Sequence, residues 1–249
     1  MKETKTQFPA EEVTLPSKGL LYPKDSLLNK GVIEMKYMTA REEDILTNQN
    51  LIKNGTVIDK LLQSLIITPI NYEELLSGDK NAILLAARIL GYGSDYAFEY
   101  RGEKMEIDLS TIKDKYLDES LVVDGKNEFQ FTLPTAKREI TFKFLTHKDE
   151  QKIEQEIKGL KKINKDSSND LTTRMKHIIL SVDGNREINF IRKFVDNEFL
   201  ARDARELRKY IGKTQPDVDL TYTYEDRRGN TTEIDVPVGI QFFWPDATV

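Results

Sequence analysis

Two stretches of the chain carry the same alternation of apolar and polar positions running into the same helix start. Residues 33 to 46 read Ile-Glu-Met-Lys-Tyr-Met-Thr-Ala-Arg-Glu-Glu-Asp-Ile-Leu, and residues 140 to 153 read Ile-Thr-Phe-Lys-Phe-Leu-Thr-His-Lys-Asp-Glu-Gln-Lys-Ile. Ile33, Met35 and Tyr37 recur with period two, as do Ile140, Phe142 and Phe144, the pattern of a strand with one buried face. Thr39 and Thr146 then stand at N-cap positions, with Glu42 and Asp149 three residues on. Such a hydroxyl accepts from first-turn amides, and the acid suits the positive end of the helix. The hairpin ends match as well, Met105-Glu106-Ile107-Asp108-Leu109 against Thr232-Glu233-Ile234-Asp235-Val236. The expectation is an α+β protein of two similar lobes, each a strand, several helices and a β-hairpin, with a possible internal duplication. General capping chemistry also makes unrelated units look alike. The offset grows from 107 residues (33 to 140) to 127 (105 to 232), so a true repeat requires insertions of the kind surface loops accept.

Along the chain, residues 1–12 read as a flexible N-terminus, 13–120 as the first lobe and 121–249 as the second, with an aromatic tail. The prolines and glycine of Leu15-Pro16-Ser17-Lys18-Gly19-Leu20-Leu21-Tyr22-Pro23 predict an extended strap. A strand near 32–38, a helix over 40–52 stopping around Asn54-Gly55, and a helix carrying Val57, Ile58, Leu61, Leu62, Leu65 and Ile66 up to Pro69 follow. Gly78-Asp79 opens an apolar helix interrupted mainly by Arg88, with Gly91 as a left-handed C-cap. Tyr96, Phe98, Tyr100 and Met105, Ile107, Leu109 then predict a hairpin around Arg101-Gly102-Glu103-Lys104. In the second half the pattern predicts paired strands around Phe129–Leu133 and Ile140–Phe144, and a helix over 147–160 with a loop from Lys161 to Asn169. Further helices are expected from Asp170 and over 198–211, ending at Gly212, with an apolar stretch between them from Ile188 to Phe194. A long-looped hairpin spans Leu220 to Val236.

At 249 residues the length suits one large domain or two small ones. No cysteine is present, which removes disulfides, thiol nucleophiles and thiolate metal sites. A net charge of −5 repels a polyanion, so nucleic acid is not expected as a partner. No apolar run approaches the ~20 residues that cross a bilayer, and Met1 to Gln7 lacks the apolar core of a signal peptide. A cytoplasmic protein without membrane insertion is the expectation.

Candidate chemistry is sparse. His147 and His177 have no further ligand at metal spacing, and they read as exposed or half-buried helix residues. Gly91-Tyr92-Gly93 precedes a strand and lacks a third glycine, so it fails the dinucleotide pattern. Lys158, Lys161, Lys162 and Lys165 fall at a helix end, where they complement the dipole, or form a basic patch. No catalytic residue, metal, cofactor or small-molecule ligand is nominated. The sharper candidates are partner-binding: Leu15, Leu20 and Tyr22 in the strap, and Phe242, Phe243 and Trp244 at the C-terminus. The aromatics either dock on the chain's own hairpin or anchor a partner, where Trp and Phe concentrate binding energy. The strap either covers its own sheet edge or adds to a partner's.

Taken in order, Leu15 to Pro23, then Met38-Thr39-Ala40-Arg41-Glu42-Glu43-Asp44-Ile45-Leu46-Thr47-Asn48, then Gly78-Asp79 with Ala86-Ala87-Arg88-Ile89-Leu90-Gly91-Tyr92-Gly93, and Phe242-Phe243-Trp244-Pro245 at the end, the chain resembles the baseplate protein family of T-even-type bacteriophages. The likeness covers most of the first lobe and the tail of the second. It implies a non-enzymatic factor that binds phage baseplate hub proteins in the host cytoplasm and promotes assembly of the central hub, without remaining in the mature virion. A structural hub subunit retained in the particle is the alternative, and a cell-wall hydrolase a remote one. Many members of that family carry Cys-x-x-Cys pairs in the hairpin after the Tyr-Gly motif, as in a zinc ribbon. Here Tyr96 to Lys104 holds no cysteine, and the resemblance implies that packing by Tyr96, Phe98 and Tyr100 replaces the metal.

Overall fold

The first alternating run finds its partner immediately upstream. A computed structural model describes residues 9–123, 125–163, 169–225 and 229–243. In it, β1 (Ala10–Thr14) pairs antiparallel with β2 (Val32–Lys36), Val13 opposite Ile33 and Glu11 opposite Met35. Residues 10–12, expected to be loose, are therefore strand, because β2 offers them an edge. The segment between is a chain of tight turns and not an extended strap. Lys18, Leu20, Tyr22 and Ser26 each donate an amide to the carbonyl three residues back, and Lys18 and Gly19 adopt positive φ. Gly19 is fitted here closely, since a Cβ on it would meet the Asn29 carbonyl oxygen at 2.4 Å.

The helix expected over 40–52 is two. α1 (Ala40–Leu46) stops at Thr47, and Asn48 caps α2 (Gln49–Asn54) by accepting from the amides of Asn50 and Leu51. An asparagine with free first-turn amides ahead of it restarts a helix more readily than it continues one. Gly55 closes α2 in the left-handed conformation, as expected. α3 (Val57–Leu65) buries Val57, Leu61, Leu62 and Leu65 on one stripe. α4 (Ser77–Tyr92) runs two residues further than expected: Gly93, at φ 83°, is its C-cap, and Gly91 stays helical. Buried Arg88 explains this. Its guanidinium donates to the carbonyls of Gly93 at 2.6 Å and Asp95 at 2.9 Å, satisfying acceptors the helix end leaves open. β3 (Asp95–Tyr100) and β4 (Glu103–Asp108) form the hairpin, with Arg101 and Gly102 at φ 53° and 78° in a two-residue turn.

The second half is likewise a mixture of short strands and helices. After β5 (Asp114–Lys115), β6 (Phe129–Thr132) pairs with β7 (Glu139–Phe142), and α5 (His147–Ile163) follows as one unbroken helix, three residues longer than expected. α6 (Asp170–Ile178) leads straight into β8 (Ile179–Val182), a strand absent from the expectation, which pairs with β7 to complete a three-stranded sheet. Its four residues are too few for periodicity to declare. α7 (Ile188–Asn197) and α8 (Ala201–Thr214) come next, α8 running past Gly212. β9 (Asp217–Val218), β10 (Thr221–Glu225) and β11 (Thr231–Asp235) finish the strands, and a 3-10 turn spans Ile240–Phe243.

The α+β class holds, but the boundary at residue 120 does not describe the packing. β9 pairs with β5 of the first half, Asp114 opposite Val218. Gly78 in α4 lies so close to Pro216 that a Cβ would sit 1.8 Å from its carbonyl oxygen. The hairpin β10–β11 stacks on β3–β4 through Phe98 against Tyr222 and Tyr100 against Tyr224. Residues 216–225 and 229–243 therefore return to cover the first lobe, and the buried apolar residues of both halves form one continuous core.

Candidate functional site

The strap is held by one carboxylate. Asp79, in the first turn of α4 and fully buried, accepts from the Ser17 amide at 2.9 Å, the Ser17 hydroxyl at 2.6 Å and the Tyr22 hydroxyl at 2.6 Å. The Tyr22 oxygen in turn accepts from the Leu76 amide. Burial drives the Asp79 carboxyl above its usual range even though these three donors favour the charged form. Leu15 is fully buried, Tyr22 is 3% exposed and Leu20 is partly buried against the core. As partner-binding residues Leu15 and Tyr22 are corrected: an anchor must be reachable, and these side chains fill the first lobe's interior.

The C-terminal aromatics resolve the same way. Phe242 and Phe243 are fully buried, with Phe242 edge-on to Tyr96 at 4.9 Å and the Tyr96 hydroxyl donating to the Pro237 carbonyl at 3.0 Å. They dock on the chain's own hairpin, so the anchor reading is corrected for both. Trp244 lies outside the described residues. Tyr96, Phe98 and Tyr100 pack against Phe242, Tyr222 and Tyr224, an aromatic layer at the place where the resemblance led us to expect packing.

The two lobes meet where sequence reading expected little. Residues 75–77 and 145–147 pair as an isolated antiparallel bridge: the Ser77 amide donates to the Leu145 carbonyl at 3.0 Å and the His147 amide to Leu75 at 2.7 Å. His147 is 5% exposed, not a surface residue. Its ring lies edge-on to Tyr72 at 4.8 Å, with Lys80 Nζ 3.3 Å from Nδ1 and Gln151 on Nε2 at 3.0 Å. Lys80 also donates to Asp59 at 2.5 Å, as does the Tyr72 hydroxyl at 3.0 Å. Burial and the Lys80 charge hold the His147 imidazole below its usual pKa. This seam floors an open cleft of about 540 Å³ lined by Thr56, Glu154, Lys158, Lys161 and Arg174 among others. The cations lining it are paired, Lys158 with Glu154, Lys161 with Asp170 and Arg174 with Glu150, so two members of the lysine run, Lys158 and Lys161, serve local ion pairs; Lys165 lies outside the described residues. His177 bridges elsewhere, to Glu156, which Arg192 also grips with two hydrogen bonds.

Nothing in the spacing of His147, Tyr72, Lys80 and Asp59 nominates them; only the pairing of 75–77 with 145–147 brings them together. Among the described residues no group of three or more acids and histidines is placed to hold a metal ion, and no helix is long and apolar enough to cross a membrane. Large apolar side chains do reach solvent at Tyr116, Val123, Ile163, Leu171, Ile188 and Leu200. Comparison with protein-family models, with curated proteins and with solved structures finds no match.

Proposed function

We propose that this chain is a non-enzymatic assembly factor for the central baseplate hub of a contractile phage tail, working in the host cytoplasm by binding hub proteins. The observation that carries this reading is that the segments behind the resemblance are one connected unit in space. Ser17 and Tyr22 of the strap bond Asp79, and Gly91 approaches the Met38 side chain so closely that a Cβ would lie 3.0 Å from its methyl. The Tyr92 hydroxyl donates to Glu43.

The mechanism is mass action. A factor that binds the assembly-competent form of a hub component better than its other forms raises that form's population, and is displaced when the final contacts are made. Exposed apolar side chains such as Ile163 and Ile188 supply surface for a transient contact. The test mixes purified hub components with substoichiometric amounts of this chain and follows complex formation by light scattering. Faster assembly into particles that lack the chain supports the reading. Stoichiometric retention in purified tails points instead to a structural hub subunit, and release of soluble fragments from cell walls to a hydrolase.

A further inference from the structure

The joint between the lobes has two halves, and each half occurs twice in the chain. Thr146 and Thr39 close matching constellations. The amide and hydroxyl of Thr39 donate to Glu42, which Lys36 reaches at 2.7 Å, while those of Thr146 donate to Asp149, which Lys143 reaches at 2.7 Å. The other half corresponds as closely. Leu76 caps α4 at φ −64°, ψ 145°, and Leu200 caps α8 at φ −63°, ψ 140°. Each is followed three residues later by a fully buried aspartate, Asp79 and Asp203. Those aspartates clasp the turn after a Leu-Pro pair: Asp79 holds Ser17 of Leu15-Pro16-Ser17, and Asp203 accepts from the amides of Thr135 and Ala136 after Leu133-Pro134. The intervening helices agree too. α3 begins at Thr56 (φ −107°, ψ 3°) and ends at Ile66 (−71°, 122°), while α6 begins at Asn169 (−98°, 18°) and ends at Ile179 (−76°, 127°).

Within one chain the joint uses residues 75–77 of the first lobe and 145–147 of the second. Their counterparts, 199–201 of the second lobe and 38–40 of the first, are left over at opposite ends. Leu76 is 2% exposed in the joint, whereas its counterpart Leu200 is 46% exposed. Thr39 and Ala40 are exposed, where His147 is buried. Among the described residues no hydrogen bond uses the Phe199 carbonyl, the Ala201 amide, the Met38 carbonyl or the Ala40 amide, the four groups equivalent to those that close the joint. Lys148 pairs with Glu73 across the joint; Arg41 holds the place of Lys148, while Asn197 holds that of Glu73 between Asp196 and Glu198, which bridge Lys176 and Arg138 of their own lobe.

We infer that a second copy of this chain docks head to tail, its 38–40 segment pairing with 199–201 of the first in the geometry that 145–147 and 75–77 use internally. The contact is heterologous: one surface meets a different surface, leaving one of each free at the ends. Repeating the step gives a closed ring or an open filament according to whether the rotation closes. The pairing rests on two backbone hydrogen bonds around a buried leucine, a form of strand addition.

Ala40→Pro and Ala201→Pro test this cleanly. Both positions are the first residue of a helix, where proline fits and removes only the amide, and both preceding residues, Thr39 (ψ 170°) and Leu200 (ψ 140°), are already extended as proline requires. Sedimentation velocity over a concentration series should show wild-type association that weakens at least about tenfold in either variant, with unchanged circular dichroism. An equimolar mixture of the two variants should form a dimer that grows no further, because each retains the surface the other lacks. Leu200→Asp, a change on an exposed side chain, should act like Ala201→Pro. A wild type that stays monomeric throughout overturns the inference, as does association indifferent to these variants or a mixture that fails to restore it. Binding of hub proteins does not enter this outcome, so it is independent of the proposed function.

Discussion

Two carboxylates, Asp79 fully buried and Glu156 half-buried, show how a single side chain can organise a segment, and each leads to a measurable consequence. Asp79 collects three donors from a turn 57 to 62 residues away. Asp79→Ala should therefore leave the Ser17 and Tyr22 groups unpaired in the interior and cost about 3 kcal/mol in urea unfolding, with the strap's amides losing exchange protection. A cost near that of a surface substitution would mean that the turn holds itself. Glu156 carries a pH signature. The Arg192 hydrogen bonds, and then His177, bring its carboxyl from its ordinary 4.5 to about 2. A depressed folded value means that the unfolded chain binds the proton more readily, so this stabilisation is complete above pH 4.5 and drains away as pH falls toward 2. The drop in unfolding free energy between neutral and acid buffer should shrink in Glu156→Gln. Neither partnership was visible in the sequence, since the residues concerned lie far apart and acids are plentiful. Yet the Leu-Pro-Ser and Leu-Pro-Thr triplets and the aspartates opening α4 and α8 were there to be compared.

Secondary structure followed local chemistry wherever that chemistry was sufficient. The Thr39 and Thr146 starts, the Gly55 stop, the Arg101-Gly102 turn and the apolar stripe of α3 all appear where patterning placed them. Two of the misplaced ends have a partner that the local pattern does not announce. Arg88 satisfies the carbonyl of Gly93 and lets α4 continue through Gly91, and β7 gives β8 a ladder that four residues could not announce. Gly78 tests the docking of elements directly. Gly78→Ala would drive a Cβ into the Pro216 carbonyl, so β9 must move off α4. A loss of roughly 2–4 kcal/mol in thermal or urea unfolding is expected, from overpacking against backbone that has no room to yield. A neutral result would show that the 216–218 segment shifts freely.

At the level of the fold, the returning segment makes the halves interdependent. Residues 216–225 and 229–243 cover the first lobe through β9, the stacked hairpins and Phe242, so a fragment of residues 13–120 should fail to fold cooperatively. Circular dichroism melting of that fragment, compared with the intact chain, checks this; a sharp transition in the fragment would restore the simple division at residue 120. The two strand-cap-helix starts were readable in the sequence, because period-two alternation and N-capping are properties of a few neighbouring residues. Which half covers which was not readable. Burial depends on pairings between segments a hundred residues apart, and period and propensity carry no record of those. The strap and tail show the limit best: their aromatic and apolar composition marked Tyr22, Phe242 and Phe243 as residues that must be buried against something, a matter of transfer free energy alone. That the something is this same chain depends on the turn at 216, the bridge at Leu76 and Thr146, and the aspartates that hold the turns, contacts that exist only once the chain has folded back on itself.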